Sequence, residues 1–201
     1  DSQSWNDLRP DDGGRLSTQD DVAFIREVLN WSVEHHGIDS KRVYVTGSSN
    51  GGMMAMRLLV ESPELFAAGA AFIASLPEQE VKRPSEPTPI MLMNGTDDPL
   101  VRWEGGVVSR NGSPTRSIDD MVSYWLSVNG VDGQEGVAMK LPDTDPDDNC
   151  RITSMAYSVK EGLPPMVLRY TVHGGGHCIP DPTPPDFSRM VWRMIGPVCT
   201  D

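Results

Sequence analysis

The stretch Arg42-Val43-Tyr44-Val45-Thr46-Gly47-Ser48-Ser49-Asn50-Gly51 constrains the fold more than any other part of the chain. Val43, Tyr44 and Val45 form a short β-favouring apolar run, the kind that makes a strand buried on both faces of a parallel sheet. A helix is expected directly after it, from Gly51 to about Glu61. Between the two lies a G-x-S-x-G segment. Its glycines let the backbone make a sharp strand-to-helix turn, with Ser49 projecting above the sheet. Ser48 carries a second hydroxyl, but directly after the first glycine it flanks the turn and does not form its apex.

The same alternation runs along the rest of the chain. Val22, Ile25, Leu29 and Val33 recur at helical spacing after Asp20, and Gly37 is placed to end that helix. Residues 66–74 and 89–93 read as further strands, separated by a loop that Pro77, Pro84 and Pro87 punctuate. Ile118, Met121, Val122, Trp125 and Leu126 mark an amphipathic helix closed by Asn129 and Gly130. Residues 133–149 read as acidic, polar loop, 150–159 and 166–172 as strands. Met190, Val191, Met194 and Ile195 fit a final helix. Strand and helix alternating in this way predict an α/β fold, a mainly parallel sheet covered by helices. The chain of 201 residues reads as a single domain, 1–201.

Charge narrows the partners. Twenty-nine acidic against seventeen basic residues leave a formal net charge of −12, which repels phosphate backbones and anionic lipid surfaces. Nucleic acid and membrane are therefore not expected as partners. Residues 1–12 are polar and acidic, unlike a secretory leader, so no signal peptide is expected within them. Cys150, Cys178 and Cys199 fit neither a metal-site spacing nor a CxxC pair, so no metal is expected and at most one internal disulfide.

A serine hydroxyl is a weak nucleophile, so Ser49 needs a base to take its proton and a third group to orient that base. Asp97 and Asp98 follow the strand at 89–93 in the segment NGTDDPLV, where a loop at a strand's C-terminal end is the expected address of an acid. Spacing alone does not choose between them. Of the four histidines, His35 and His36 fall at a helix end, where imidazole caps carbonyls. His173 and His177 flank a run of three glycines after the last strand, and one of the two is expected to be the base.

The segments SWND, DDVAFI, RVYVTGSSNGGMMA, NGTDDPLV and GGGH, in that order, resemble the polyhydroxybutyrate depolymerase-like esterases, α/β-hydrolases similar to feruloyl and acetylxylan esterases. The resemblance implies Asp98, immediately before the proline, as catalytic acid and His177, closing GGGH, as base. It implies hydrolysis of carboxylic esters through an acyl-enzyme, an ester substrate that is often polymeric, action outside the cell, and no cofactor. The run after His177 departs from the family's small residue, tryptophan and proline, since Cys178, Ile179 and Pro180 stand there. Ile179, Trp5 and Trp103 are the expected apolar walls for substrate.

Such hydrolases carry strands before the elbow strand and an HG-containing loop that donates one N–H to the oxyanion. Neither is found here, so the chain reads as lacking the N-terminal strands, and only the backbone N–H of Asn50 is expected as an oxyanion donor. One missing donor removes ~3 kcal/mol of transition-state stabilisation. Two other readings keep the fold: a non-catalytic or crippled domain that binds a ligand or partner, and a serine peptidase.

Overall fold

The computed structural model describes residues 4–10, 17–107, 113–143 and 146–178. Among them, six strands form one sheet in the order β1 (Tyr44–Ser48), β2 (Ala68–Phe72), β3 (Ile90–Gly95), β8 (Val167–His173), β7 (Arg151–Tyr157) and β6 (Val137–Lys140). The pairs β1–β2, β2–β3 and β3–β8 are parallel, whereas β8–β7 and β7–β6 are antiparallel. A short ribbon, β4 (Gly106–Val107) with β5 (Pro114–Thr115), stands apart from the sheet. Three α-helices, α1 (Asp21–His36), α2 (Asn50–Glu61) and α3 (Ile118–Val128), and two single 3-10 turns, Ser40–Arg42 and Pro63–Leu65, complete the described elements.

The strands of the sheet's centre are buried on both faces, and alternate side chains go to two separate cores, as a period of two requires. Ala71, Ile90, Leu92 and Val167 join Met53, Met56, Leu59, Met121, Val122 and Trp125 from α2 and α3 in the larger core. Ala70, Phe72, Met91, Met93, Leu168, Tyr170 and Val172 form the core of the opposite face. Burying α2 and α3 is thus what fixes the elbow's helix against the sheet. Trp125, fully buried, contributes the largest of these side chains.

Helix α1 starts on an Asp20 side chain that caps the Ala23 N–H and stops at Gly37, whose φ of 62° is the left-handed conformation that ends helices. Its Val22, Ile25 and Leu29 pack against the larger core, while Phe24, Val28 and Trp31 remain exposed.

Two expectations are corrected. The strand at Val43–Val45 is not buried on both faces. Strand β1 pairs only with β2 among the described residues, and its side chains are half-buried or exposed, because an apolar run reads as central only when it has a neighbour on each side. Residues 133–149 are not all loop, because Val137–Lys140 forms the edge strand β6. All four of its residues are exposed, so it shows none of the apolar alternation by which a strand is recognised. The expected final helix at 190–195, with Ile179 and Cys199, lies outside the described residues. Among the described residues, Cys150 and Cys178 form no disulfide.

Candidate active site

Four parallel strands, β1, β2, β3 and β8, end side by side. In register, Ser48 of β1 lies beside Phe72 of β2, and Gly95 of β3 beside Val172 of β8. The loops that leave these carboxyl ends carry Ser49, Asp98 and His177, the place where open α/β sheets present their functional groups.

Ser49 has φ 54° and ψ −123°, a backbone conformation that a non-glycine residue holds only when its surroundings impose it. The surroundings are visible. The Ser49 N–H donates to the Phe72 carbonyl at 2.9 Å, and the Ser49 carbonyl accepts from Met53 N–H at 2.9 Å, opening α2. A Cβ at Gly47 would collide with the carbonyl of Gly51, and one at Gly52 would lie 2.8 Å from the Ala74 side chain, so only glycine permits the turn and the close fit of helix to sheet.

The histidine loop is tied to the acid's loop. The Asp97 N–H donates to the Gly175 carbonyl at 3.0 Å, and the Gly174 N–H donates to the Thr96 hydroxyl at 2.9 Å. Gly95 has no space for a Cβ because the Gly175 carbonyl occupies it. The run of glycines is therefore what lets the loop lie flat on the end of β3.

These placements bring three side chains into one hydrogen-bonded line. The imidazole of His177 meets the Asp98 carboxylate through Nδ1, 2.7 Å from Oδ2, and meets the Ser49 hydroxyl through Nε2, 2.9 Å from Oγ. A carboxylate only accepts, so Nδ1 carries the proton and Nε2 is the acceptor facing the serine. Asp98 is 4 % exposed, and its other oxygen accepts from the N–H groups of Leu100 at 2.8 Å and Val101 at 2.9 Å. Asn50 begins α2, so its backbone N–H belongs to a helix first turn that has no intrahelical acceptor.

The remaining expected residues fall elsewhere. Asp97 is exposed and accepts from the Thr96 hydroxyl at 2.8 Å. His173 ends β8 and bonds through Nε2 to the Thr153 hydroxyl at 2.9 Å, on a neighbouring strand. Trp5 lies beside the elbow, where its backbone N–H donates to the Asn50 side chain at 2.7 Å. Trp103 sits beyond Asp98 in a cleft with Thr96, Asp97 and Arg102, and the Arg169 guanidinium stacks 5.0 Å from its ring centre. Sequence reasoning missed Asp7 and Arg9, which are buried next to Asn50.

A sheet of this topology, with an elbow, an acid and a histidine at the carboxyl ends of its strands, is the α/β-hydrolase fold. The chain is similar in sequence to esterases. Residues 3–76 match the family model described as the prolyl oligopeptidase family. The chain is 31% identical over 189 residues to the protein named "Putative esterase NocK" from Nocardia uniformis subsp. tsuyamanensis, covering 89% of this chain and 52% of that protein. It is 28% identical over 201 residues to feruloyl esterase B from Piromyces equi, covering 96% of this chain and 33% of that protein. The chain thus spans about half the length of the first of these relatives and a third of the second. Among solved structures, acetyl xylan esterase from Aspergillus awamori superposes with a TM-score of 0.54 at 17% identity, over 87% of this chain and 66% of that one, a likeness of fold. No described helix is long and apolar enough to cross a membrane.

Proposed function

We propose that the protein is a serine carboxylic-ester hydrolase that works through an acyl-enzyme, with Ser49 as nucleophile, His177 as general base and Asp98 as the acid that orients it. The observation that carries this reading is the unbroken line from Ser49 Oγ through His177 to Asp98, at 2.9 and 2.7 Å. Nε2 takes the hydroxyl proton as Oγ attacks the ester carbonyl, forming the tetrahedral intermediate. Its oxyanion accepts from the Asn50 backbone N–H. The imidazolium then returns the proton to the departing alcohol, leaving Ser49 acylated. Water, activated by the same imidazole, releases the acid and restores the serine.

The substrate class proposed is a carboxylic ester: a feruloyl or acetyl ester of polysaccharide, a polyhydroxyalkanoate or a short-chain ester. Relatives named as esterases support the ester bond. Action outside the cell is proposed with it, on the resemblance to depolymerase-like esterases. Trp5, beside the elbow and 38% exposed, is the described residue best sited to meet an acyl or aryl group. For Trp103, held under Arg169, a packing role fits its surroundings better.

The match to the prolyl oligopeptidase family gives a peptidase reading an observation of its own, since the same three groups attack amides. One experiment separates the readings. The protein is incubated with an aryl ester, with a peptide anilide and with a fluorophosphonate. Ester turnover with labelling of Ser49 and loss of both in Ser49→Ala supports the esterase; turnover of the anilide alone supports the peptidase, and a folded protein inert to all three refutes both.

A further inference from the structure

The side chain of Asn50 joins the elbow to residues 4–10, and its hydrogen-bonding capacity goes into that link. Its Oδ1 accepts from the Trp5 N–H at 2.7 Å. Its Nδ2 donates to the Asp7 carboxylate Oδ2 at 2.6 Å and to the Trp5 carbonyl at 3.2 Å. Asp7 is 1% exposed, and Arg9, also buried, grips it with Nε on Oδ1 at 2.9 Å and with its terminal nitrogen on Oδ2 at 2.7 Å. A planar guanidinium fork on a buried carboxylate has one favourable geometry, so Asp7 is a fixed point. The segment that carries it is fastened on further sides. Arg57 of α2 donates to the Asn6 carbonyl, and Asp21 of α1 accepts from the Asn6 N–H at 2.7 Å.

This anchor lies beside the strained residue of the elbow. Ser49, at φ 54°, is held on its N-terminal side by the bond from its own N–H to Phe72. On its C-terminal side the next residue is Asn50, whose side chain is bound to Asp7. The peptide between Ser49 and Asn50 carries the N–H assigned above to the oxyanion. Its orientation follows from Ser49 ψ and Asn50 φ, and a residue held at backbone and side chain leaves neither free to relax.

We infer that Asp7 and Arg9 are positioning residues for the reaction: through the Asn50 side chain they hold the 49–50 peptide in the orientation that stabilises the oxyanion. The inference rests on the esterase reading and adds the two residues that make its one assignable donor rigid. It also rules out the backbone of residues 5–7 as a source of a further oxyanion donor. Their backbone N–H groups are already bonded to Asn50 Oδ1, to Asp21 and to the Trp5 carbonyl, so none of them donates to substrate.

The test exchanges donor and acceptor across the 7–50 contact. Asn50→Asp sets a carboxylate against a carboxylate and loses both amide donations. Asp7→Asn leaves the Arg9 guanidinium without its charge partner. The double variant Asp7→Asn/Asn50→Asp restores one donor, one acceptor and one negative charge to the contact. Aryl-ester kcat and KM are measured at one pH, with kcat counted per serine that a fluorophosphonate labels at completion, so that a misfolded fraction does not mimic a slow site. Thermal melting is recorded for all four proteins.

Positioning predicts that Asn50→Asp lowers kcat by about tenfold or more with KM within about twofold, since an interaction made only in the transition state is lost. The double variant should recover most of that loss, a coupling that independent effects do not give. Equal kcat per labelled serine in all four proteins, with only melting temperature changed, reduces the clamp to a structural role and overturns the inference while leaving the esterase reading intact. Additive losses with no recovery overturn it too. A wild-type protein that neither hydrolyses the ester nor labels removes the esterase reading and this inference together.

Discussion

Asp97 and Asp98 are neighbours in the chain with opposite surroundings. Asp97 is in solvent with a threonine hydroxyl, while Asp98 is buried with one oxygen on the N–H groups of Leu100 and Val101 and the other on His177. The proline that follows Asp98 permits this, because the chain turns there and the Asp98 carboxylate folds back on the amides two and three residues ahead, as Asx turns do.

From that contrast, Asp98→Asn should keep the fold and lower ester turnover by up to about four orders of magnitude, because an amide can hold the imidazole in the wrong tautomer. Asp97→Asn should change turnover less than about threefold, as a solvated group outside the hydrogen-bonded line. Steady-state rates of both variants on one aryl ester check the pair, and a crippled Asp97→Asn beside an active Asp98→Asn would reverse the assignment.

His177→Ala should cost nearly as much as Ser49→Ala, since members of such a unit fail together. His173→Ala loses a surface bond to Thr153 and should keep most activity. Burst-phase labelling with a fluorophosphonate distinguishes loss of the nucleophile from loss of the base.

Gly95→Ala drives a methyl group into the Gly175 carbonyl and should push the histidine loop off the end of β3. A shift of that loop by about 1 Å is expected to cost roughly 10²-fold in kcat, along with about 1–3 kcal/mol of stability. Gly176→Ala meets nothing within 4 Å and serves as the control. Urea unfolding and kcat for the two variants make the comparison.

Burial pushes the Tyr124 phenol up to about 12 against a slight opposing pull from Arg116 and Arg83, and burial alone pushes Tyr170 up to about 12. Each folded-state value lies above the ordinary 10.0, so the unfolded chain loses these protons first. Their contribution to stability is complete below pH 10 and is lost as pH rises toward about 12. Urea midpoints taken from pH 9 upward should fall over that window, and Tyr124→Phe should flatten the fall. An unchanged slope in the variant would contradict the account.

The elbow and the acid and histidine loops were legible because their chemistry is local. Glycines at 47 and 51, a proline after Asp98 and three glycines before His177 announce their geometry within a few residues. The strand β6 was not, because four exposed side chains leave no periodicity to read. Nor was it legible that β1 pairs with β2 alone among the described residues, since the pattern of a strand does not say how many neighbours it has. The Asp7 anchor was hidden for a different reason. Its partner Asn50 lies 43 residues on, and only the folded chain brings the amide to the carboxylate.

The hydrogen bond from Ser49 N–H to Phe72 ties the serine to a strand other than its own. The alignment of the three side chains is thus inherited from how β1, β2, β3 and β8 mesh, like the timing of a gear train. A slip of one tooth between β1 and β2 would carry the hydroxyl about 3.3 Å along the strand, further than the 2.9 Å that separates it from the imidazole. Partial disengagement between β1 and β2 would silence the serine while most of the machine still turned.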